Sequence, residues 1–246
     1  MCVSNIYFGY YCAQNFLPTL KDHLLGRITE NPEDSFSDQD RRQLLVHNNR
    51  IFCHKTLRIN FTTYDCHWDQ DTINMRTHSN IMVLANQTED PENRHPCWYA
   101  RIIGIFHAMV SKIGSGSAYE QIDFVWVRWY GLDMRAWSGF KARRLHQVGF
   151  LNSNTDMGAF GFIDPLDVVR AVHLIPAFHF GKTSLLLSPS LARREDEGDE
   201  DYERYYINMY VFTLIVYIGL IILGLLIATC SHASVGLGQV TNLHAI

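Results

Sequence analysis

The chain has 246 residues, of which 47% are apolar and 19% charged, with a formal net charge of -4. That balance excludes a chain disordered throughout, a collagen-like repeat and a protein embedded in a bilayer over most of its length. The charge is unevenly spread: residues 94–150 carry eight Lys/Arg against three Asp/Glu, and residues 193–204 carry seven acids against three bases.

In chain order, FLPTLKDHLLGRI (16–28) spaces Leu17, Leu20, Leu24, Leu25 and Ile28 for a short amphipathic helix, with Pro18 in its first turn. The polar stretch that follows is a connector, and its Ser37-Asp38-Gln39-Asp40 run is suited to cap a brief helix reaching Val46. From Arg50 the pattern changes to strand, because RIFCHKTLRINFTTYD alternates apolar with polar positions and is rich in β-branched and aromatic residues. NIMVLAN, WYARIIGIFHAMV and FVWVRWYG are further strands. Between the last two, SKIGSGSAYEQ reads as a flexible hairpin loop, its glycines lacking the lysine and helix of a phosphate-binding loop.

Beyond a basic loop, DMRAWSGFKARRLHQ, the short segments VGFLN, AFGFID and DPLDVVRAVHLIPAF are separated by turn residues, as in a small barrel or sandwich. No fixed-period repeat is present. The predicted organisation is a helical arm and connector (1–49), a β-rich module (50–192), an acidic solvated linker (193–206), an apolar helix (207–230) and a short tail (231–246). Residues 209–230 contain no charged residue over 22 positions. At about 1.5 Å per residue they are long enough to cross the roughly 30 Å hydrocarbon core of a bilayer. Every Lys and Arg precedes them, so the rule that positive charge stays inside predicts a single-pass, tail-anchored protein with a cytosolic N-terminal part.

Six cysteines, Cys2, Cys12, Cys53, Cys66, Cys97 and Cys230, are too sparse for the disulfide framework of a small secreted domain and fit a reducing compartment. The N-terminal MCVSNIYFGYYCAQNF lacks the basic and apolar regions of a signal peptide. The acceptor patterns at Asn60 and Asn86 are therefore read as chance matches. Cys53-His54 and Cys66-His67 resemble zinc ligands only loosely, since neighbours on a strand face opposite ways. Asp65, Asp69, Asp71 and Asp123 form a nuclease-like site only if an unknown fold gathers them. With no Ser-His-Asp or Cys-His constellation in a supporting context, no catalytic residue, metal or cofactor is expected.

The candidate binding surface is the region where aromatics meet cations, a combination that suits a cage or a nucleic-acid platform. Trp98, Tyr99, Trp126, Arg128 and Trp129 are its candidate residues, with Trp137 nearby and Lys141, Arg143 and Arg144 as a basic loop. Alternation puts Phe124, Trp126, Arg128 and Tyr130 on one strand face and Val125, Val127 and Trp129 on the other, so at least one tryptophan is a candidate for exposure.

Taken together, LKDHLLGRI, VHNNRIFCHKTLRINFTTYDCHWDQDTIN, RTHSNIMVLANQTE, HPCWYARIIGIFHAMV, FVWVRWYGLD, RRLHQVGF, AFGFIDPLDVVRAVHLIPAF and EGDEDYERYYINMYV resemble the C-terminal part of proteins encoded by Plavaka-type DNA transposons of mushroom-forming fungi. The resemblance spans roughly residues 16–211 and implies a mobile-element origin and an accessory, non-catalytic module. The WYARIIGIF and FVWVRWY pair is also similar to the paired strands of BAH-type and SH3-like modules. The implied fold is a mainly β (α+β), SH3/BAH-like small barrel with a helical N-terminal arm and a C-terminal apolar helix. The partners to expect are a lipid bilayer at residues 209–230 and a protein, peptide or nucleic acid at the aromatic face. The alternative is a soluble nuclear module that binds chromatin or DNA. After Tyr210-Val211 the chain departs from the family pattern, which fits translated intron sequence in that run.

Overall fold

A computed structural model describes residues 16–30, 36–62, 67–85, 95–114, 118–139, 142–152, 158–186 and 200–208. The apolar run 209–230 and the tail, Lys141, Asp65, Cys66 and Asn86 lie outside the described residues. No helix among the described residues is long and apolar enough to cross a membrane.

The architecture is mainly β, built on one large sheet that curls into a half-barrel. At its centre lie two long antiparallel strands, β6 (Cys97–Lys112) and β7 (Glu120–Leu132), joined as a hairpin. β5 (Asn80–Leu84) and β10 (Val168–Ala171) extend the β6 side. β8 (Gln147–Phe150), β14 (Tyr205–Ile207) and β11 (Leu174–Pro176) extend the β7 side, in that order. The short β1 (Leu44–Val46) and β2 (Phe52–His54) also pair with β6, and β9 (Phe160–Ile163) pairs with β7. Two small antiparallel pairs stand apart: β3 (Thr56–Thr62) with β4 (Trp68–Asn74), and β12 (Lys182–Thr183) with β13 (Asp201–Tyr202).

The alternation expected of the central strands is overridden because both faces are covered. On one face the helix α1 (Phe16–Thr29) lays Phe16, Leu20, Leu24 and Leu25 against Phe106, Ala108, Val110, Phe124 and Trp126. On the other, Leu57, Ile59 and Ile73 of the β3–β4 hairpin close over Ala100, Ile102, Ile105, Val125 and Val127. A third cluster, with Met82, Tyr99, Tyr130, Val148, Phe150, Leu174, Tyr205 and Ile207, fills the end of the curl. A strand buried on both sides reads as a continuous apolar run, and FVWVRWY is such a run.

Charged groups fasten these layers. Arg41 grips the buried Asp22 carboxylate through Nε at 2.6 Å and Nη2 at 2.7 Å, tying α1 to α2 (Asp38–Gln43). Ser37 caps α2 in a reciprocal box with Asp40, as the sequence indicated, but the helix gives way at Leu44 to strand β1 instead of continuing to Val46. Arg27 pairs with Asp164 at 2.8 Å and joins α1 to the start of β10's approach. Asp71 accepts from Arg170 Nε at 3.2 Å and from the Ala171 backbone N–H at 3.0 Å, docking the hairpin onto β10.

The end of the acidic segment departs from its predicted role as a solvated linker. Asp201–Tyr202 and Tyr205–Ile207 are strands, and β14 is inserted between β8 and β11. Asp201 is buried and accepts from Arg101 Nη1 at 2.6 Å. The tight approach of this chain to β8 requires Gly149, where a Cβ would lie 2.8 Å from the Glu203 carbonyl oxygen.

Two histidines make stability depend on pH. Burial, then the positive Arg27, brings His23 from 6.5 down to about 4. Burial, reinforced by the neighbouring His146 and opposed by the Cys97 carbonyl, does the same for His95, also to about 4. Both are neutral in the fold, whereas the unfolded chain takes up protons below pH 6.5. Their contribution is therefore complete above pH 6.5 and lost as the pH falls towards 4, at up to about 1.4 kcal/mol per pH unit for each. Denaturant unfolding at a series of pH values should show this decline, and His23→Leu should make it shallower.

Candidate functional site

The five aromatic and basic candidates for the binding surface take different places in the fold. Tyr99 is buried in the third cluster. Trp126 packs edge-on against Phe16 of α1, with ring centroids 5.1 Å apart, and stacks on Phe160. Arg128 is 0% exposed. These three are corrections to the expected surface: the helix and the flanking strands cover the face that alternation left open. Only Trp98 and Trp129 reach the exterior side of the sheet, where they meet edge to face at 5.9 Å. Trp98 is 49% exposed, while Trp129 is half-buried against Gly161, a position where a Cβ would come 2.8 Å from the indole nitrogen.

Arg128 is an internal cation. Its Nη2 donates to the Leu151 carbonyl at 2.5 Å, and its guanidinium carbon sits 4.5 Å from the Phe160 centroid and 5.4 Å from that of Phe150. Its cross-strand partner is another arginine, Arg101, which lies over the same Phe150 ring at 5.1 Å. Like charges placed opposite one another destabilise a sheet. Here π faces and Asp201 compensate them: burial works against the Arg101 cation, but Tyr130, Tyr205 and Asp201 outweigh it and raise its pKa.

The exposed part of the basic region lies elsewhere, where the β7–β8 connection meets β14. Ala136, Trp137, Arg144, Leu145, Gln147 and Tyr206 line an open groove of about 430 Å³. Trp137 is 75% exposed, and the Arg144 guanidinium lies 5.8 Å from its ring centroid. Arg143, held at φ 50°, and Arg135 are exposed on the same connection. An isolated bridge between Gly139 and Arg144 folds this segment back on itself, and Gly139 takes φ 101° beside the His146 ring. His146 in turn contacts Ser138 Oγ through Nδ1 at 3.1 Å. These contacts hold Trp137 and Arg144 at the rim. Of the two described cations of the basic loop, Arg144 lines the groove and Arg143 is exposed next to it in the chain.

Gln147 and Tyr206 are register partners in the β8–β14 pair, so their side chains share one face at the groove floor. Gln147 is 5% exposed, and its Nε2 has no hydrogen-bond partner among the described residues. No local pattern marks this floor, because Tyr205 and Tyr206 of β14 lie in the segment read as linker. Tyr206 continues into an aromatic row, stacked with His179 at 6.3 Å, and His179 lies against Phe180 at 3.9 Å.

Among the described residues, the other side chains weighed from the sequence have different surroundings. Cys53 is exposed, while His54 is buried and directs Nε2 to His107 Nδ1 at 2.6 Å; His67 is exposed. Asp71 is committed to Arg170 and the Ala171 N–H, Asp69 is exposed, and Asp123 accepts from Gln121. Among the described residues, no three His, Cys, Asp or Glu side chains are arranged to hold a metal ion. No protein-family profile, curated protein or solved structure matches the chain.

Proposed function

We propose that this chain is a non-catalytic interaction module of transposon origin, and that its working surface is the groove at Trp137 and Arg144, which receives an anionic partner. The observation that carries this reading is a tryptophan three-quarters exposed, beside an arginine, on the rim of an open groove. Large aromatics and arginines concentrate binding energy at interfaces, and exposed Arg135, Arg143 and Arg144 attract negative charge. Anchoring to a membrane through residues 209–230 belongs to the same proposal and is supported by their uncharged run. A second reading, a soluble nuclear module on chromatin or DNA, is favoured by the same three arginines.

The test of the groove is titration of the full-length chain with two polyanions, an oligoglutamate peptide and a single-stranded oligonucleotide, near physiological salt. Saturable binding to at least one is expected. The charge reversal Arg144→Glu should weaken it about tenfold or more, because a rim attraction becomes a repulsion. Absence of saturable binding to either polyanion would remove the proposal. Carbonate extraction separates the two locations: an integral helix keeps the chain in the membrane fraction, and a nuclear module is released.

A further inference from the structure

Resting on that reading, we infer that the groove receives a nucleotide unit, with a base on its aromatic floor and the phosphate at its arginine rim. Three features at one place lead to this ligand. The exposed Trp137 ring and the Tyr206 ring offer π surfaces, on which a planar base stacks with little regard to its identity. The Arg144 guanidinium at the rim supplies the planar fork that matches a phosphate. An oligoglutamate would use the arginines but leave both rings without a stacking partner.

The third feature is Gln147. A buried amide donor lacking a partner carries a free-energy penalty, and native folds retain few of them. Gln147 as a whole is 5% exposed, and it lies on the floor beside Tyr206, its partner in the strand register. That nitrogen has almost no accessible surface, so the carbonyl or ring-nitrogen acceptor edge of a seated ligand satisfies it once the Gln147 side chain turns toward the groove. Nucleobases combine such an acceptor with a stacking face and an attached phosphate. The volume of about 430 Å³ lies within the range of small-ligand pockets and accommodates one base with its sugar, whereas the bases of a duplex are already stacked on one another and offer no free face to these rings. The source is therefore a free nucleotide or one position of a single strand.

The experiment measures binding of the full-length chain, near physiological salt, to a labelled oligothymidylate, an abasic oligonucleotide of the same length, oligoglutamate and thymidine monophosphate. Tighter binding of oligothymidylate than of the abasic strand, by about tenfold or more, is the expected result. Trp137→Ala and Gln147→Leu should each shrink that difference, by lowering affinity for oligothymidylate more than for the abasic strand. Trp137 is exposed, so its replacement tests the site even if Gln147→Leu disturbs the fold. Monophosphate binding as tight as the oligomer assigns the groove to a free nucleotide, and weaker monophosphate binding assigns it to a single strand. Equal affinity for oligothymidylate and the abasic strand, or for oligoglutamate, overturns the base assignment and leaves the anionic groove standing. No binding of any polyanion overturns both.

Discussion

Asp201→Ala is expected to destabilise the protein by about 3–5 kcal/mol, the usual effect of removing one member of a buried ion pair. The carboxylate is 5% exposed and sits 2.6 Å from Arg101 Nη1, so its loss leaves a guanidinium inside the fold beside a second, fully buried one at Arg128. The damage is greater than the lost attraction, because the surviving charge is only slightly open to water. The double replacement of Asp201 by Leu and Arg101 by Met, of similar bulk but uncharged, should regain most of the loss. Denaturant unfolding followed by tryptophan fluorescence measures both variants. A change below about 1 kcal/mol for Asp201→Ala would mean that the pair behaves as a solvated surface contact.

Leu24→Ala is expected to destabilise the protein by about 2–5 kcal/mol. Leu24 is fully buried on the inner side of α1, in the cluster that includes Phe106, Phe124 and Trp126. Truncation both removes apolar burial and leaves a void in a layer whose aromatic neighbours are held by edge-on contacts with Phe16 and Phe162. Leu17, on the same helix but 43% exposed, provides the contrast: its replacement by alanine should change stability by less than about 0.5 kcal/mol. Equal effects at the two positions would show that the helix is not fastened to the sheet.

The strands most readily visible in the sequence were those with runs of β-branched and aromatic residues, and NIMVL, CWYARIIGIFHAMV and FVWVRWY are all strands. The amphipathic spacing of Leu20, Leu24 and Leu25 likewise marked α1 and its inner side. What local pattern could not convey is what lies over each face. Period-2 reasoning placed Arg128 and Trp126 together on one face, which is where they are, but whether that face meets water depends on Phe16, Phe150 and Phe160, which come from three other segments. The exposed cations of the basic loop were recognisable by composition. Gln147 and Tyr206 were not, since only the pairing of β8 with β14 makes them neighbours. Trp68–Asn74 was missed as a strand because its acids resemble a loop; Asp71 is explained by a partner on β10, far along the chain.

The position of β14 has a consequence for synthesis. Because it is the strand between β8 and β11, the emerging polypeptide keeps two sheet edges open until residue 207 has been made. Unpaired edges and uncovered apolar surface are the features on which nascent chains aggregate. Arg101, made a hundred residues earlier, also waits for Asp201 before its charge is neutralised. Early release of the chain, even a few residues short of Ile207, therefore yields a product that is open at the seam and dependent on chaperones, although almost all of its core residues are already present.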